Sequence, residues 1–223
     1  MIKAVFFDMD GTVLDTEPMY KKAWKAAFDK ETHEFSEELF NKCVGLSVRL
    51  CKKLINETYG DDKVFDRTFP FAASWVYNYK KANGIPVKAG FVELSDFLDA
   101  NGVKSLIVTS TSHNAAMEDL TSSGIANRFF GVVGGDDTER GKPFPDPYAR
   151  AAEITGFGRG ECIAVEDSEN GVSSAVSAGI RCVYVKDMLD IPKEVERMAF
   201  RKVDSLGKII DIIKEEGLCR TCR

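Results

Sequence analysis

The first eleven residues constrain the fold more than any other stretch of the chain. Residues 1–7 are apolar apart from one lysine and rich in strand-forming residues, which predicts a strand buried in a parallel sheet. Asp8 and Asp10 follow where that strand should end, and an extended backbone points residues i and i+2 to the same side. Gly11 then allows the chain to turn at once. The sequence therefore predicts two carboxylates that face one cavity.

The next seventy or so residues differ from the rest of the chain. Apolar residues recur there at helical spacing, which predicts a helix after Thr16 and further helices at about 36–44, 47–59 and 62–82. Since no strand-like alternation occurs among them, we expect residues 15–84 to form an all-helical insert that ends at an Asn-Gly-Ile-Pro turn.

From residue 91 onward, predicted helices and strands alternate, which is typical of a parallel sheet covered by helices on both faces. We predict helices at 91–100, 113–122, 146–155, 169–178 and 205–216, and strands at 105–109, 130–133, 161–165 and 181–185. The expected fold class is therefore α/β, with residues 1–14 and 85–223 forming the sheet domain around the insert.

Polar residues follow the predicted strands, and ligands of open parallel sheets bind beyond those strand ends. A Ser-Thr-Ser run at 110–112 precedes a helix N-terminus, which suits an anion. Lys142 lies in a Gly-Lys-Pro loop, and Glu166 and Asp167 follow a later strand. Taken one at a time, these are ordinary capping and loop residues. Their placement after successive apolar strands indicates one shared site.

Several carboxylates gathered in one site need compensation. Two of them about 4 Å apart repel by ~4 kcal/mol at an effective dielectric of 20. Either they share protons or a divalent cation lies among them, and oxygen-only ligands favour a hard ion such as Mg²⁺. Because the cation, the lysine and the helix N-terminus all attract negative charge, the natural ligand of this site is phosphate.

Composition sets the outer bounds on function. The net charge of −5 provides no basic stripe for a phosphate backbone, which argues against nucleic acid as a partner. No apolar run approaches the roughly 20 residues of a membrane span, and no signal-peptide pattern opens the chain. We expect a cytoplasmic protein that is a monomer or a weak homo-oligomer, with no membrane partner.

The six cysteines fall into two groups. Four lie in apolar segments and are predicted to be small buried side chains in a reducing compartment: Cys43, Cys51, Cys162 and Cys182. The others, Cys219 and Cys222, form a C-x-x-C within the last five residues, with no second pair, which favours a frayed tail over a metal or redox site.

Four short motifs, in this order, resemble those of the haloacid dehalogenase superfamily of phosphotransferases, in its branch with a helical cap. They are Asp8-Met9-Asp10-Gly11-Thr12, Val108-Thr109-Ser110, Lys142-Pro143 and Glu166-Asp167. The resemblance covers essentially the whole chain. It implies a Rossmann-like parallel sheet core with an inserted all-helical cap domain at residues 15–84, which would close over the site and shield it from water.

The resemblance also implies a role for each motif residue. Asp8 would be the nucleophile that forms an aspartyl-phosphate, and Asp10 would protonate the leaving oxygen and later activate water. Ser110 and Lys142 would bind the transferring phosphoryl oxygens. Since a second acid at Asp10 separates the phosphotransferases from the dehalogenases of this superfamily, dehalogenase activity is disfavoured.

A Mg²⁺ cofactor is implied in the same way. Asp8, the backbone carbonyl of Asp10, and Asp167 would hold it, with Glu166 as a direct or outer-shell supporting residue.

Substrate contacts are implied less directly. Arg49 lies in a stretch similar to the substrate loop of β-phosphoglucomutases, and Ser112, His113 and Asn114 follow the second motif. These residues could instead have no contact with substrate. Arg49 would then be an exposed helix residue, and His113 and Asn114 would only form the start of a helix. Neither alternative is excluded by the sequence.

One departure separates the chain from the β-phosphoglucomutases it resembles. Those enzymes carry a histidine in the first cap helix where this chain has Tyr20, and tyrosine cannot change charge near neutral pH as histidine can. The prediction is therefore a Mg²⁺-dependent phosphatase of a small phosphorylated metabolite. A sugar phosphomutase is the alternative, and a non-catalytic phospho-aspartate receiver is a remote one because a receiver has no such insert.

Overall fold

A computed structural model describes residues 1–31, 33–44, 48–187 and 190–217 of the chain. It divides into two compact units, one formed by Met1–Asp15 with Ile85–Arg223 and the other by Thr16–Gly84. None of the helices in these described ranges combines the length and the apolar character that crossing a membrane requires.

The helices are numbered in chain order. The Thr16–Gly84 unit contains α1 (Glu17–Lys30), α2 (Glu37–Cys43), α3 (Val48–Tyr59) and α4 (Val64–Asn83). The other unit contains α5 (Phe91–Ala100), α6 (His113–Ser122), α7 (Asp146–Thr155), α8 (Glu169–Ser177), α9 (Lys193–Glu196) and α10 (Ile209–Glu216).

The larger unit is built on a six-stranded parallel sheet. Its strands are β1 (Ala4–Phe7), β2 (Lys104–Val108), β3 (Gly131–Val133), β4 (Cys162–Glu166), β5 (Arg181–Val185) and β6 (Arg201–Val203). Their order is β3-β2-β1-β4-β5-β6, with every neighbouring pair parallel. The predicted α/β fold with a parallel sheet is confirmed. The chain order reverses at β1, and such a switch point opens a crevice at the strand ends.

Both faces of the sheet are covered, which explains the continuous apolar run of β1. Ala4 and Phe6 pack in one cluster with buried residues of α7 and α8. Val5 and Phe7 point the other way and pack with residues of α5, α6 and α10. All four side chains are fully buried, which confirms the predicted buried strand of a parallel sheet.

Two short elements escaped the sequence prediction. The edge strand β6 has three residues, two of them exposed and cationic, and α9 has only four residues, so neither carries a readable apolar period. The predicted helix at 205–216 is a 3₁₀ turn at Leu206–Lys208 followed by α10.

The Thr16–Gly84 unit contains no strand among its described residues. Its helices α1 and α4 share a buried cluster made of Met19, Ala23, Ala27, Ala72 and Val76, against which Tyr20 packs. Ser36 is the N-cap of α2: its hydroxyl accepts a hydrogen bond from the backbone N–H of Leu39 at 3.1 Å, which fixes the start of the helix.

The cysteines differ in their burial. Cys162 and Cys182 are buried, as predicted, whereas Cys43 and Cys51 are only half-buried, so the prediction of four buried cysteines is wrong for this pair. All four are free thiols. The predicted tail pair, Cys219 and Cys222, lies outside the described residues.

Candidate active site

The pairing of β1 with β4 brings the first two acids together. Phe7 pairs with Val165, so the next residues along the two strands, Asp8 and Glu166, emerge side by side at the sheet edge. The backbone N–H of Asp8 donates to the Val165 carbonyl at 2.9 Å, which extends the strand pairing to the site itself. The parallel sheet therefore fixes the separation of these two carboxylates.

Gly11 makes room for a third acid. Its φ of +83° lies in the left-handed region that favours glycine. A Cβ atom at this position would lie 2.2 Å from Oδ2 of Asp167, closer than any real contact. The turn after β1 therefore requires glycine for two reasons: its backbone conformation and the approach of Asp167.

Lys142 lies between the acids. Its Nζ donates hydrogen bonds to Asp8 Oδ1 at 2.6 Å, to Glu166 Oε1 at 2.5 Å and to the Val108 carbonyl at 2.8 Å. The side chain is only 4% exposed, so these three acceptors use all of its donors away from water. The lysine thus joins the ends of β1, β2 and β4.

Glu166 is fully buried and held from several sides. The Tyr148 hydroxyl donates to its Oε1 at 2.5 Å, and the Ser168 hydroxyl donates to its Oε2 at 3.3 Å. A Cβ at Gly171, in the first turn of α8, would lie 1.8 Å from the Glu166 carboxylate, so this helix can pack here only with glycine. Every contact fixes the orientation of Glu166 toward Lys142.

Asp8, Glu166 and Asp167 form a group that could hold a metal ion. One carboxylate oxygen from each lies within 4.8 Å of the others. Burial raises the pKa of the Asp8 carboxyl to about 7, against the lowering effect of Lys142 and with a further rise from the charge of Glu166. Burial, followed by the charges of Asp8 and Glu166, raises the pKa of Asp167 well above its usual range.

This electrostatic balance fits a divalent cation. Three carboxylates face a single ammonium group, so full ionisation leaves the group with excess negative charge. A hard cation bound by oxygen ligands would supply the missing positive charge and allow both aspartates to ionise. The donor set contains no nitrogen or sulfur ligand, which matches Mg²⁺ rather than zinc.

Asp10 lies beside this group, in contact with the end of β2. The Thr111 hydroxyl donates to Asp10 Oδ2 at 3.0 Å. Ser110, one residue earlier, is exposed, and its hydroxyl has no partner among the described residues. The residues of the Ser-Thr-Ser run therefore differ in their contacts: Thr111 orients Asp10, and the Ser110 hydroxyl is available to a ligand.

The predicted substrate contacts belong to two different units of the chain. Ser112 and Asn114 are exposed at the start of α6, and His113 is partly exposed there with its Nδ1 2.7 Å from Asp137 Oδ2. Arg49 is exposed on α3, in the other unit. Part of the loop before Arg49, residues 45–47, lies outside the described residues.

Sequence reasoning did not identify Tyr148 as a site residue, and it did not assign a partner to Thr111. Tyr148 lies in the first turn of α7, and its hydroxyl reaches Glu166. No local pattern marks it apart from its place in the sequence after Lys142. Thr111 was seen as part of a hydroxyl run, but the bond that singles it out depends on the turn after β2.

Comparison with known proteins gives consistent matches. A family model described as haloacid dehalogenase-like hydrolase matches residues 5–185. The chain is 29% identical over 186 residues to a phosphorylated carbohydrates phosphatase from Thermotoga maritima, with 82% of this chain and 84% of that protein covered. It is 31% identical over 193 residues to protein CbbY from Rhodobacter capsulatus, again covering 82% and 84%.

The fold also matches solved structures. One from Thermotoga maritima, provisionally named a β-phosphoglucomutase, aligns with a TM-score of 0.80 at 26% identity. The alignment covers 96% of this chain and 99% of that one. The similarity therefore extends over both units of the chain.

Proposed function

The chain belongs to the haloacid dehalogenase-like hydrolases, and from that membership we propose that it is a Mg²⁺-dependent phosphatase of small phosphorylated metabolites. It is an enzyme of that family, and the proposal concerns its reaction and its substrate class. The supporting observation is the buried Lys142, hydrogen-bonded to Asp8 and Glu166 beside Asp167. One ammonium group beside three carboxylates can bind a phosphate group together with a metal ion.

In this proposal Asp8 attacks phosphorus and forms an aspartyl-phosphate. Asp10, oriented by Thr111, donates a proton to the leaving oxygen and then takes one from the attacking water. Lys142 and Ser110 bind the phosphoryl oxygens, where Lys142 offsets the charge that develops in the transition state.

The cation would be held by Asp8, Asp167 and the backbone carbonyl of Asp10, with Glu166 in support. When bound, it neutralises charge on the phosphoryl group and on the nucleophile. Glu166 is also the second acceptor of Lys142, so it keeps the ammonium group beside Asp8. This double role explains why a fully buried acid is retained at the site.

We propose hydrolysis rather than the phosphomutase reaction, in which the phosphoryl group is transferred back to another hydroxyl of the sugar. The Thermotoga maritima relative is named a phosphatase of phosphorylated carbohydrates, which supports a sugar or polyol phosphate as substrate. Tyr20, at the position where β-phosphoglucomutases carry a histidine, packs against a cluster of apolar residues. A tyrosine there lacks the charge switch that a mutase would use. We place this reaction in the cytoplasm.

A panel of some dozens of phosphometabolites, with Mg²⁺ or with EDTA, tests this proposal. We expect phosphate release from at least one sugar or polyol phosphate, and only with Mg²⁺. No release from any member of the panel, or release that is equal in EDTA, would contradict it.

A sugar phosphomutase is the second candidate, since the chain is similar in structure to a protein provisionally named a β-phosphoglucomutase. It would use the same site residues but return the phosphoryl group to another hydroxyl of the sugar. Interconversion of β-glucose 1-phosphate and glucose 6-phosphate, primed by a bisphosphate and releasing little phosphate, would favour this alternative.

Asp10→Asn should lose most activity yet still bind Mg²⁺. The amide keeps an acceptor for Thr111 but cannot transfer a proton, so we expect turnover to fall by about 10²–10⁴-fold. Because the metal is proposed to use the backbone oxygen of Asp10, calorimetric Mg²⁺ affinity should change little. Loss of Mg²⁺ binding in a folded variant would count against this assignment.

Metal-free protein should lose stability as pH rises. The pKa of Asp8 is raised from 3.8 to about 7, so its contribution to stability is complete below about pH 4 and is lost as pH rises through 7. Between about pH 5.5 and pH 8 we expect the free energy of unfolding in EDTA to fall by about 2 kcal/mol, and Mg²⁺ to stabilise more at the higher pH.

Urea unfolding at both pH values, with EDTA or Mg²⁺, measures this effect. Asp8→Asn is the control, because it cannot titrate and should show a smaller fall. An unchanged or rising stability of the wild type in EDTA across this range, or the same fall in the variant, would be inconsistent with the raised pKa.

A further inference from the structure

A fifth acid approaches the site from a strand end to which the sequence assigned no role. Asp187 follows β5, two residues after its last residue. A Cβ built on Gly11 would lie 3.2 Å from Asp187 Oδ2 and 2.2 Å from Asp167 Oδ2. The two carboxylates therefore meet on the same side of the Gly11 turn. The charge of Asp187 also contributes, after those of Asp8 and Glu166, to the raised pKa of Asp167.

The two oxygens of Asp187 have different surroundings. Oδ1 accepts a hydrogen bond from Lys88 Nζ, which also pairs with Asp15 Oδ1 at 2.9 Å. Oδ2 is buried and has no hydrogen-bond partner among the described residues. The side chain as a whole is 16% exposed. Lys88 thus fixes the carboxylate and leaves one buried acceptor unused.

A buried acceptor without a donor costs free energy, so a partner is expected when the site is in use. The neighbouring acid, Asp167, is itself an acceptor when ionised and cannot supply the hydrogen. A water held by a divalent cation can, because its hydrogens point away from the metal. Mg²⁺ usually retains several waters when it is bound by only one or two carboxylates.

We propose that Asp187 is a positioning residue for the divalent cation, in which Oδ2 accepts a hydrogen bond from a water held by the cation at Asp8 and Asp167. The inference rests on the proposed function for the presence of that cation. Lys88 occupies Oδ1, and Asp187 is not among the three acids whose oxygens lie within 4.8 Å of one another, so we assign it to a water of the cation rather than to the cation itself. Outer-shell partners of this kind orient the ligands and strengthen metal binding.

The competing explanation is that Asp187 only braces Lys88 and Asp15. Both explanations predict some structural role for Asp187, so stability alone cannot separate them. Metal affinity can separate them, because a residue that only supports Lys88 and Asp15 does not change the affinity of the folded protein for Mg²⁺.

Calorimetric titration of Mg²⁺ into the full chain, stripped of metal with EDTA and dialysed, provides the test. Asp187→Asn keeps the shape and an oxygen for Lys88, but turns an N–H donor toward the place where an acceptor is needed. We expect the dissociation constant for Mg²⁺ to rise by about 10- to 100-fold. Asp190→Asn is the matched control, since Asp190 is exposed and pairs with Lys186; its affinity should stay within about twofold.

Asp187→Ser serves if the asparagine variant does not fold, and the same weakening is expected. Circular dichroism in EDTA establishes folding in each case. Wild-type affinity in a folded Asp187 variant, or no Mg²⁺ binding by the wild type, overturns the inference. The titration contains no substrate, so it tests the role of Asp187 separately from the reaction. If the wild type binds Mg²⁺ but hydrolyses no phosphoester, the proposed reaction is wrong, and the role of Asp187 is still decided by the titration.

Discussion

Asp8→Asn is expected to abolish turnover while the protein remains folded. Asparagine has the shape of aspartate, but its amide is neither a nucleophile for phosphorus nor a charged ligand for Mg²⁺. We expect the rate of phosphate release to fall by at least about 10⁴-fold, the scale on which removing a nucleophile acts in other enzymes with covalent intermediates.

This variant should lose activity without losing stability. Ionised Asp8 is unfavourable in the metal-free fold, because burial raises its pKa to about 7. At about pH 8 in EDTA, the neutral amide should therefore make the variant as stable as the wild type or more stable. The amide oxygen still accepts from Lys142, so the hydrogen bond at that end is kept.

Initial rates on the best substrate of the panel and urea unfolding measure the two effects. Asp190→Asn, an exposed acid, is the control and should alter neither. If folded Asp8→Asn kept a near-normal rate, the covalent mechanism would be wrong.

Lys142→Met should cost both stability and activity. Methionine roughly fills the volume but leaves Asp8 and Glu166 facing each other without their shared cation. Removing one partner from a buried ion pair typically destabilises by about 3–5 kcal/mol. For a chain of 223 residues, this corresponds to a drop in Tm of roughly 10 °C.

The loss of activity has a separate cause. Without the ammonium group, the proposed site loses its one lysine contact to the phosphoryl oxygens, and we expect turnover to fall by about 10²–10³-fold or more. Since Mg²⁺ partly replaces the missing charge, the drop in Tm should be smaller with Mg²⁺ than with EDTA.

Thermal unfolding with and without Mg²⁺, together with initial rates, checks both effects. Lys186→Met is the matched control: that lysine is exposed, pairs only with Asp190 among the described residues, and should shift stability by no more than about 0.5 kcal/mol. A Lys142 variant with wild-type Tm in EDTA would mean that the buried pairing does not hold the site together.

The sequence could predict the sheet because β1 is a continuous apolar run, which is typical of a strand covered on both faces. It could not predict β6 or α9, since both are short and polar and are placed by neighbours rather than by their own pattern. Residues at strand ends, such as Asp8 and Glu166, could also be predicted to share one site, because the carboxyl ends of parallel strands lie along one edge of the sheet.

The loop residue Lys142 was predicted because it lies in a recognisable motif, but two other side chains that reach the site were not. Tyr148 contacts Glu166 through the packing of α7, and Asp187 and Asp167 both lie close to the position that a side chain on residue 11 would occupy. Neither Tyr148 nor Asp187 lies in a recognisable motif. Such contacts depend on the distance between elements, which a single sequence does not give.

The most direct test measures the fate of the phosphoryl group on the best sugar or polyol phosphate with Mg²⁺. Phosphate released and sugar phosphate consumed are quantified in one reaction, with Asp8→Asn as the blank. A phosphatase predicts one phosphate for each substrate molecule consumed, and none with the variant. Consumption of substrate into an isomeric sugar phosphate without release of phosphate would contradict hydrolysis.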